Sequence, residues 1–361
     1  MIGKSSTIAK FSFLSLRGYP SGRYHVRHRH GSCAPAMDLS SDSRNQHFVS
    51  QVEQRLNAAN PGAASDRQRI FSFSVHDRES YDVRLENRRG RLISGNLSLD
   101  DLFTFDVTPD HRSRFNFEVL FQRFEGEIAA TTESLLQKLG AGDKNVGGEI
   151  GSLFTAKLLN FLRNPYSVEK ALNTLGVLTN YRPTAPAATH MFERVLNGRK
   201  PQQARLCAEL GISDADYERW LRMLFMLFSE SGDGKLSLLE STVKAVFDLK
   251  SHAAAVLVCT YTRARCLLSD RSFSEPLRRP NWIGLEFNLR GNAFIRYLFA
   301  DHGELVPHAP REWVEQYQGF KHPINVWHRV DDFECLRGFN RNAIYQCHSR
   351  VFCSTRDGVM V

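Results

Sequence analysis

The chain has 361 residues, 42% of them hydrophobic, which is ample for a core, and carries 47 basic against 39 acidic side chains for a formal charge of +8. Six of the basic residues, Lys4, Lys10, Arg17, Arg23, Arg27 and Arg29, fall within residues 1–36, which hold no acidic residue, so from Met37 onward 41 face 39 and the excess is +2. The basic character belongs largely to that leader, and charge alone gives little ground for a nucleic-acid partner.

The leader's apolar run, residues 11–16, is too short for a secretory core and is followed by arginine-rich sequence, so upstream translated sequence with Met37 as the functional start is the favoured reading. An organelle transit peptide and a disordered basic arm for an anionic partner are the alternatives. The apolar runs 221–228 and 253–259 fall short of a spanning helix, so no membrane role is indicated. Seven cysteines (Cys33, Cys207, Cys259, Cys266, Cys335, Cys347 and Cys353) form no C-x-x-C pair, which suits a reducing cytoplasm and argues against structural zinc.

In chain order, an N-terminal helix is expected to place Phe48, Val52, Leu56 and Ala59 on an apolar stripe beside a polar stripe of His47, Gln51, Gln54 and Arg55. Residues 69–75 alternate as a half-buried strand does, and 81–85 return beside them as a hairpin. A short strand or turn over 97–107 bears Asp100 and Asp101. Over 115–139, Phe117, Leu120, Phe121, Phe124, Ile128 and Leu135 repeat at helical spacing, giving one long helix ended by Gly140 and Gly142. Helices over 149–162, 168–178, 187–196, 215–227 and 238–249 form the body. Strands over 265–269, 283–289, 294–299 and 324–328, a helix over 332–348 and a last strand over 351–353 complete it. The expected fold is α+β: a helix-rich body with an N-terminal β-hairpin and a C-terminal mixed or antiparallel sheet, with residues 37–361 as one large domain.

No P-loop, dinucleotide glycine motif, His-Glu-x-x-His or Gly-x-Ser-x-Gly elbow occurs. Residues 229–240 match the spacing of a Ca²⁺ loop at Ser231, Asp233, Gly234, Leu236, Ser237 and Glu240. Ser229 replaces the first aspartate, so a glycine-rich turn between two helices is the plainer reading.

The stretch Gln46-His47-Phe48-Val49-Ser50-Gln51 resembles the opening of a bacterial family, domain of unknown function 4238, with Ser50 where that family usually has proline. The helix bearing Glu118 and Glu125 is similar to the family's second element. Ser269 and Asp270 match its Ser-Asp strand, where Arg271-Ser272 replace Asn-Pro. Asn340 and Arg350 fall in stretches similar to its closing helix and strand. The resemblance covers residues 44–353 in order, and it implies a single-gene anti-phage defence protein.

Two functions follow. A hydrolase would gather His47, Glu118, Glu125 and Asp270 in one cleft. Glu118 and Asp270 would hold Mg²⁺, His47 would act as base on nucleic acid, and Gln46, Gln51, Ser269, Asn340 and Arg350 would bind. In the plainer alternative these side chains cap turns and satisfy buried backbone. The second function is a non-catalytic sensor that recognises a phage component through anchors such as Trp282, Arg290, Tyr297, Trp313 and Trp327.

Overall fold

The computed structural model describes residues 38–361 except 111, 231–235, 249–251, 277–281, 303–307, 319, 321 and 358. The basic leader and the centre of the Ca²⁺-type loop, with Ser231, Asp233 and Gly234, therefore lie outside the described residues.

The N-terminal motif begins as a strand. β1 (Asn45–His47) pairs antiparallel with β5 (Ser98–Asp100), and α1 (Gln51–Leu56) starts only after Ser50, whose hydroxyl accepts the Glu53 amide. The expected helix is thus too long at its start: a serine cap fixes the helix origin beyond His47, and His47 and Phe48 precede it. The hairpin of β2 (Arg69–Asp77) and β3 (Asp82–Leu85) forms as read, with β4 (Arg91–Leu92) also on β2.

The long helix expected over 115–139 is broken in two places. Phe115 lies in β7 (Arg114–Asn116), paired with β6 (Thr104–Val107), and Gly126 separates α2 (Glu118–Glu125) from α3 (Ile128–Gly140). A glycine at that junction weakens helix continuation by about 1 kcal/mol relative to alanine, and each half packs separately. Glu118 consequently stands in the first turn of a short helix, where the helix dipole favours its charge while burial opposes it.

The body contains α4 (Gly147–Leu162), α5 (Val168–Leu175), α6 (Pro186–Asn197), α7 (Gln203–Leu210), α8 (Asp214–Phe228) and α9 (Leu238–Val246); the polar α7 was not expected. Next come β8 (His252–Thr260), β9 (Leu268–Ser269), β10 (Trp282–Arg290), β11 (Ala293–Asp301), α10 (Arg311–Gln318), β12 (Asn325–Val330), α11 (Phe333–Gln346) and β13 (Arg350–Cys353). β8 replaces the apolar run at 253–259, and most of 265–269 is loop rather than strand.

The fold is α+β, with a mixed C-terminal sheet ordered β10-β11-β8-β12 in which only β12 is parallel to its neighbour. The N-terminal hairpin does not stand apart from the C-terminal strands. β13 inserts between β2 and β9, joining both ends of the chain in one sheet. One buried apolar cluster runs from Leu39 to Phe352, centred on α4 and α8, and among the described residues no helix is long and apolar enough to cross a membrane.

Within that core α4 carries buried Lys157, whose ammonium pairs with buried Glu53 of α1 and donates to the Asn288 carbonyl of β10 at 2.6 Å. Removing one partner leaves the other charged and buried. Lys157→Met is expected to destabilise by about 3–5 kcal/mol, and the double variant with Glu53→Leu to recover much of that loss, as read from denaturant midpoints. Equal loss in both variants would show that packing rather than charge pairing sets the cost.

Candidate functional site

The polar face of α4 ends in Asn160, Arg163 and Asn164, at the helix-surface spacing begun by Lys157. Arg163, almost fully buried, pairs with Glu125 of α2 at 2.5 Å and donates to Asn160 at 2.7 Å. Asn160 in turn donates to the second oxygen of Glu53 at 2.5 Å. The Arg163 guanidinium lies 4.7 Å from the Phe121 ring centre, so both its plane and its edge are fixed.

Two expected catalytic residues meet this arginine. Arg163 and Glu125 act electrostatically on both His47 and Glu118, which places three of the four proposed residues in one cluster. Burial pushes the Glu118 carboxyl up to about 7; Arg163 opposes the rise and Glu125 adds to it. Burial lowers His47 below the usual histidine range, partly offset by the nearby Ile93 carbonyl, with Arg163 also lowering it. His47 is therefore neutral at pH 7 and Glu118 is divided between acid and carboxylate.

A chain of amide contacts borders the cluster. Gln51 meets His47 Nδ1 at 3.5 Å, and its oxygen accepts from Arg55 at 2.6 Å. Of the sixteen buried side-chain atoms without a hydrogen-bond partner among the described residues, four lie here: His47 Nε2, Arg55 Nε, Glu118 Oε1 and Arg163 Nε. Unsatisfied buried polar atoms are costly; here they fall on His47, Glu118 and Arg163, which act on one another electrostatically, and on Arg55, which reaches His47 through Gln51. Gln51, Arg55, Glu118 and Glu125 are half-buried and connect the deeper His47 and Arg163 to the surface.

Asp270 does not join them as a catalytic or metal-binding carboxylate. Its oxygens accept the amides of His348, Ser349 and Arg350 at 2.6, 2.7 and 2.8 Å, which orders the turn into β13. Three backbone donors leave that carboxylate committed to structure. It shares no partner with Glu118, and among the described residues no group of three or more His, Cys, Asp or Glu could hold a metal ion. The donor set expected for Mg²⁺ is thus not assembled, and Glu118 acts without Asp270.

Most of the expected binding residues are also structural. Gln46 is fully buried and bonds Thr104, the Ser43 carbonyl and the Phe103 amide. Asn340 bonds the Leu267 amide and the Arg265 and Met360 carbonyls, Ser269 lies buried opposite Val351, and Arg350 pairs with Glu86 at 2.9 Å. Only Gln51 touches the cluster. At the ends of the stretch with Ca²⁺-loop spacing, Ser229 bonds the Phe225 carbonyl, while Glu240 closes a capping box with Ser237 and pairs with Arg123. Those two ends already have other partners.

Sequence reasoning missed Arg163 and gave Arg55 no role in the site. The available signal was the recurrence of Lys157, Asn160 and Arg163 every three residues through an otherwise apolar helix.

Because Glu118 titrates higher folded than unfolded, the folded state binds the extra proton between pH 4.5 and about 7, so its contribution to stability is present below that window and lost as pH rises through it. Glu118→Gln is expected to flatten that dependence and raise stability above pH 7 by about 2 kcal/mol, discounted for partial exposure. Melting temperatures from pH 4 to 8 test this, and an unchanged profile in the variant would refute it.

No family model, curated protein or solved structure matches the chain.

Proposed function

We propose that this protein is a bacterial anti-phage effector acting in the cytoplasm, and that the Arg163 cluster hydrolyses phosphodiester bonds of nucleic acid by acid–base chemistry. The observation that carries the reading is the set of unpartnered buried atoms on His47, Arg55, Glu118 and Arg163, two of which belong to groups whose proton affinities are displaced in complementary directions. The resemblance to the domain of unknown function 4238 family supplies the defence setting.

In the proposed reaction, neutral His47 takes a proton from water through Nε2 as the water oxygen attacks phosphorus. Protonated Glu118 gives its proton to the departing oxygen, so one P–O bond forms as another breaks. Arg163 and Arg55 offset the negative charge that gathers on the phosphoryl oxygens. Glu125 and Gln51 position those groups. Because the base must be deprotonated and the acid protonated, the rate is expected to peak between the lowered His47 value and about 7.

A sensor without catalysis is the second reading, favoured by Trp313 and Trp327, which stand 70% and 53% exposed on α10 and β12. Tyr297 does not contribute to such a surface, being fully buried and bonded to the Ile150 carbonyl, and Arg290 pairs with Glu133.

The test combines phage plaquing on expressing bacteria with cleavage of labelled DNA and RNA by the purified full chain. His47→Ala and Glu118→Gln, at matched abundance, are expected to lose protection and to cut at least 100-fold more slowly. Protection without cleavage, retained by both variants, would reject the hydrolase and favour the sensor. Absence of protection by the unmodified protein would reject the defence role.

A further inference from the structure

A second cluster lies around the turn that follows β9, and none of its groups is among those that act on Glu118. A cleft of about 290 Å³ opens between this turn, the start of α5 and the end of α11, with Arg78, Lys170, Arg271, Glu275 and Tyr345 among its walls. Three cations against one carboxylate leave the lining at +2. Each charge has a different commitment.

Lys170 pairs with Glu275 at 2.5 Å, so these two cancel. Arg78 donates to the carbonyls of Tyr345 and Cys347, both at 2.7 Å, and of His348 at 2.5 Å. It closes the end of α11 without meeting an opposite charge. Arg271 has no hydrogen bond or ion pair among the described residues, and its Nε is buried without a partner. The neighbouring carboxylate, Asp270, spends its oxygens on three backbone amides and meets Arg271 through its charge rather than through a hydrogen bond.

The backbone there is also constrained. Ser272 adopts a left-handed conformation, φ 64°, which is uncommon for a residue with a side chain, and Asn164 holds the Asp270 carbonyl at 2.8 Å. The turn thus presents one guanidinium to a cleft, with the backbone on either side of it held in place. Burial lowers the Arg271 proton affinity, but a guanidinium remains charged at neutral pH. A half-buried fork of donors beside a second cation matches the planar, bidentate recognition of a phosphate.

We propose that this cleft binds the phosphate monoester of a small ligand, a nucleoside monophosphate being the class that fits, with Arg271 as the principal phosphate ligand and Arg78 as the supporting charge. The volume lies at the lower end of small-molecule sites, which suits one nucleotide better than a polymer. Tyr345, 43% exposed at the wall, offers an aromatic face for the base. Arg271 is suited to this role because it carries no internal bond that binding would have to break.

The experiment is calorimetric titration of the full chain with adenosine monophosphate, inorganic phosphate and a single-stranded 12-nucleotide DNA, using wild type, Arg271→Gln, Arg271→Lys and Glu118→Gln. Expected are binding of the monophosphate, weaker binding of inorganic phosphate, a loss of tenfold or more in Arg271→Gln, a smaller loss in Arg271→Lys, and no change in Glu118→Gln. Unchanged circular dichroism and melting temperature without ligand would establish that the Arg271 variants remain folded. The proposal is overturned by absent monophosphate binding, by equal affinity in wild type and Arg271→Gln, or by binding of the oligonucleotide alone. Loss in Glu118→Gln would also overturn it, by moving the ligand to the Arg163 cluster.

Discussion

The buried pair of Lys157 and Glu53 is the constraint from which the rest of the polar architecture follows. An ammonium and a carboxylate removed from water repay their desolvation only when their remaining hydrogen-bonding capacity is used. Here Asn288 takes the spare ammonium donor and Asn160 fills the second carboxylate oxygen, so α1, α4 and β10 are brought to one point. Asn57 adds a further link, bonding both the Glu53 carbonyl and the Asn288 side chain. Apolar packing alone would allow α4 to slide or rotate at modest cost. The polar contacts specify one register.

That register determines where Arg163 stands. Six residues beyond Lys157, it pairs with Glu125 at the end of α2, lies over the Phe121 ring and acts on Glu118 and His47, side chains that no single helix could assemble. Glu125 neutralises one edge of the guanidinium, while its Nε is buried without a partner. The same local burial that raises Glu118 lowers His47, because desolvation favours the neutral form of each group. Opposite displacements from one cause are what separate an acid from a base within a shared site.

The legible part of the fold was that carried by short-range pattern. The alternation Ile70, Ser72, Ser74 against Phe71, Phe73, Val75 and the heptad-like runs of α4 and α8 announced their elements because one face of each had to be buried. The breaks were less legible. Ser50 and Gly126 each end or begin a helix, yet serine and glycine also occur inside helices, and only the pairing of β1 with β5 and of β6 with β7 decides the matter. For the site, His47, Glu118 and Glu125 could be selected by residue type, whereas Asp270 looked equally chemical until its three amide partners were known. Arg163 escaped notice because an arginine near a helix end usually reads as a solvated cap. Its burial is a tertiary property.

The insertion of β13 between β2 and β9 also bears on the order in which the molecule can be made. As the chain leaves the ribosome, β2 must wait until Arg350–Cys353 have been made before its central neighbour exists. Pairings that span so much chain are slow to form and leave an exposed strand edge meanwhile. The amides that bind Asp270 arrive with that same last segment, and Asn164, adjacent to Arg163, anchors the Asp270 backbone. Synthesis itself therefore acts as a timer: the turn that steadies the end of α4 is completed only once residues 348–350 have been made, so a chain interrupted before them lacks it.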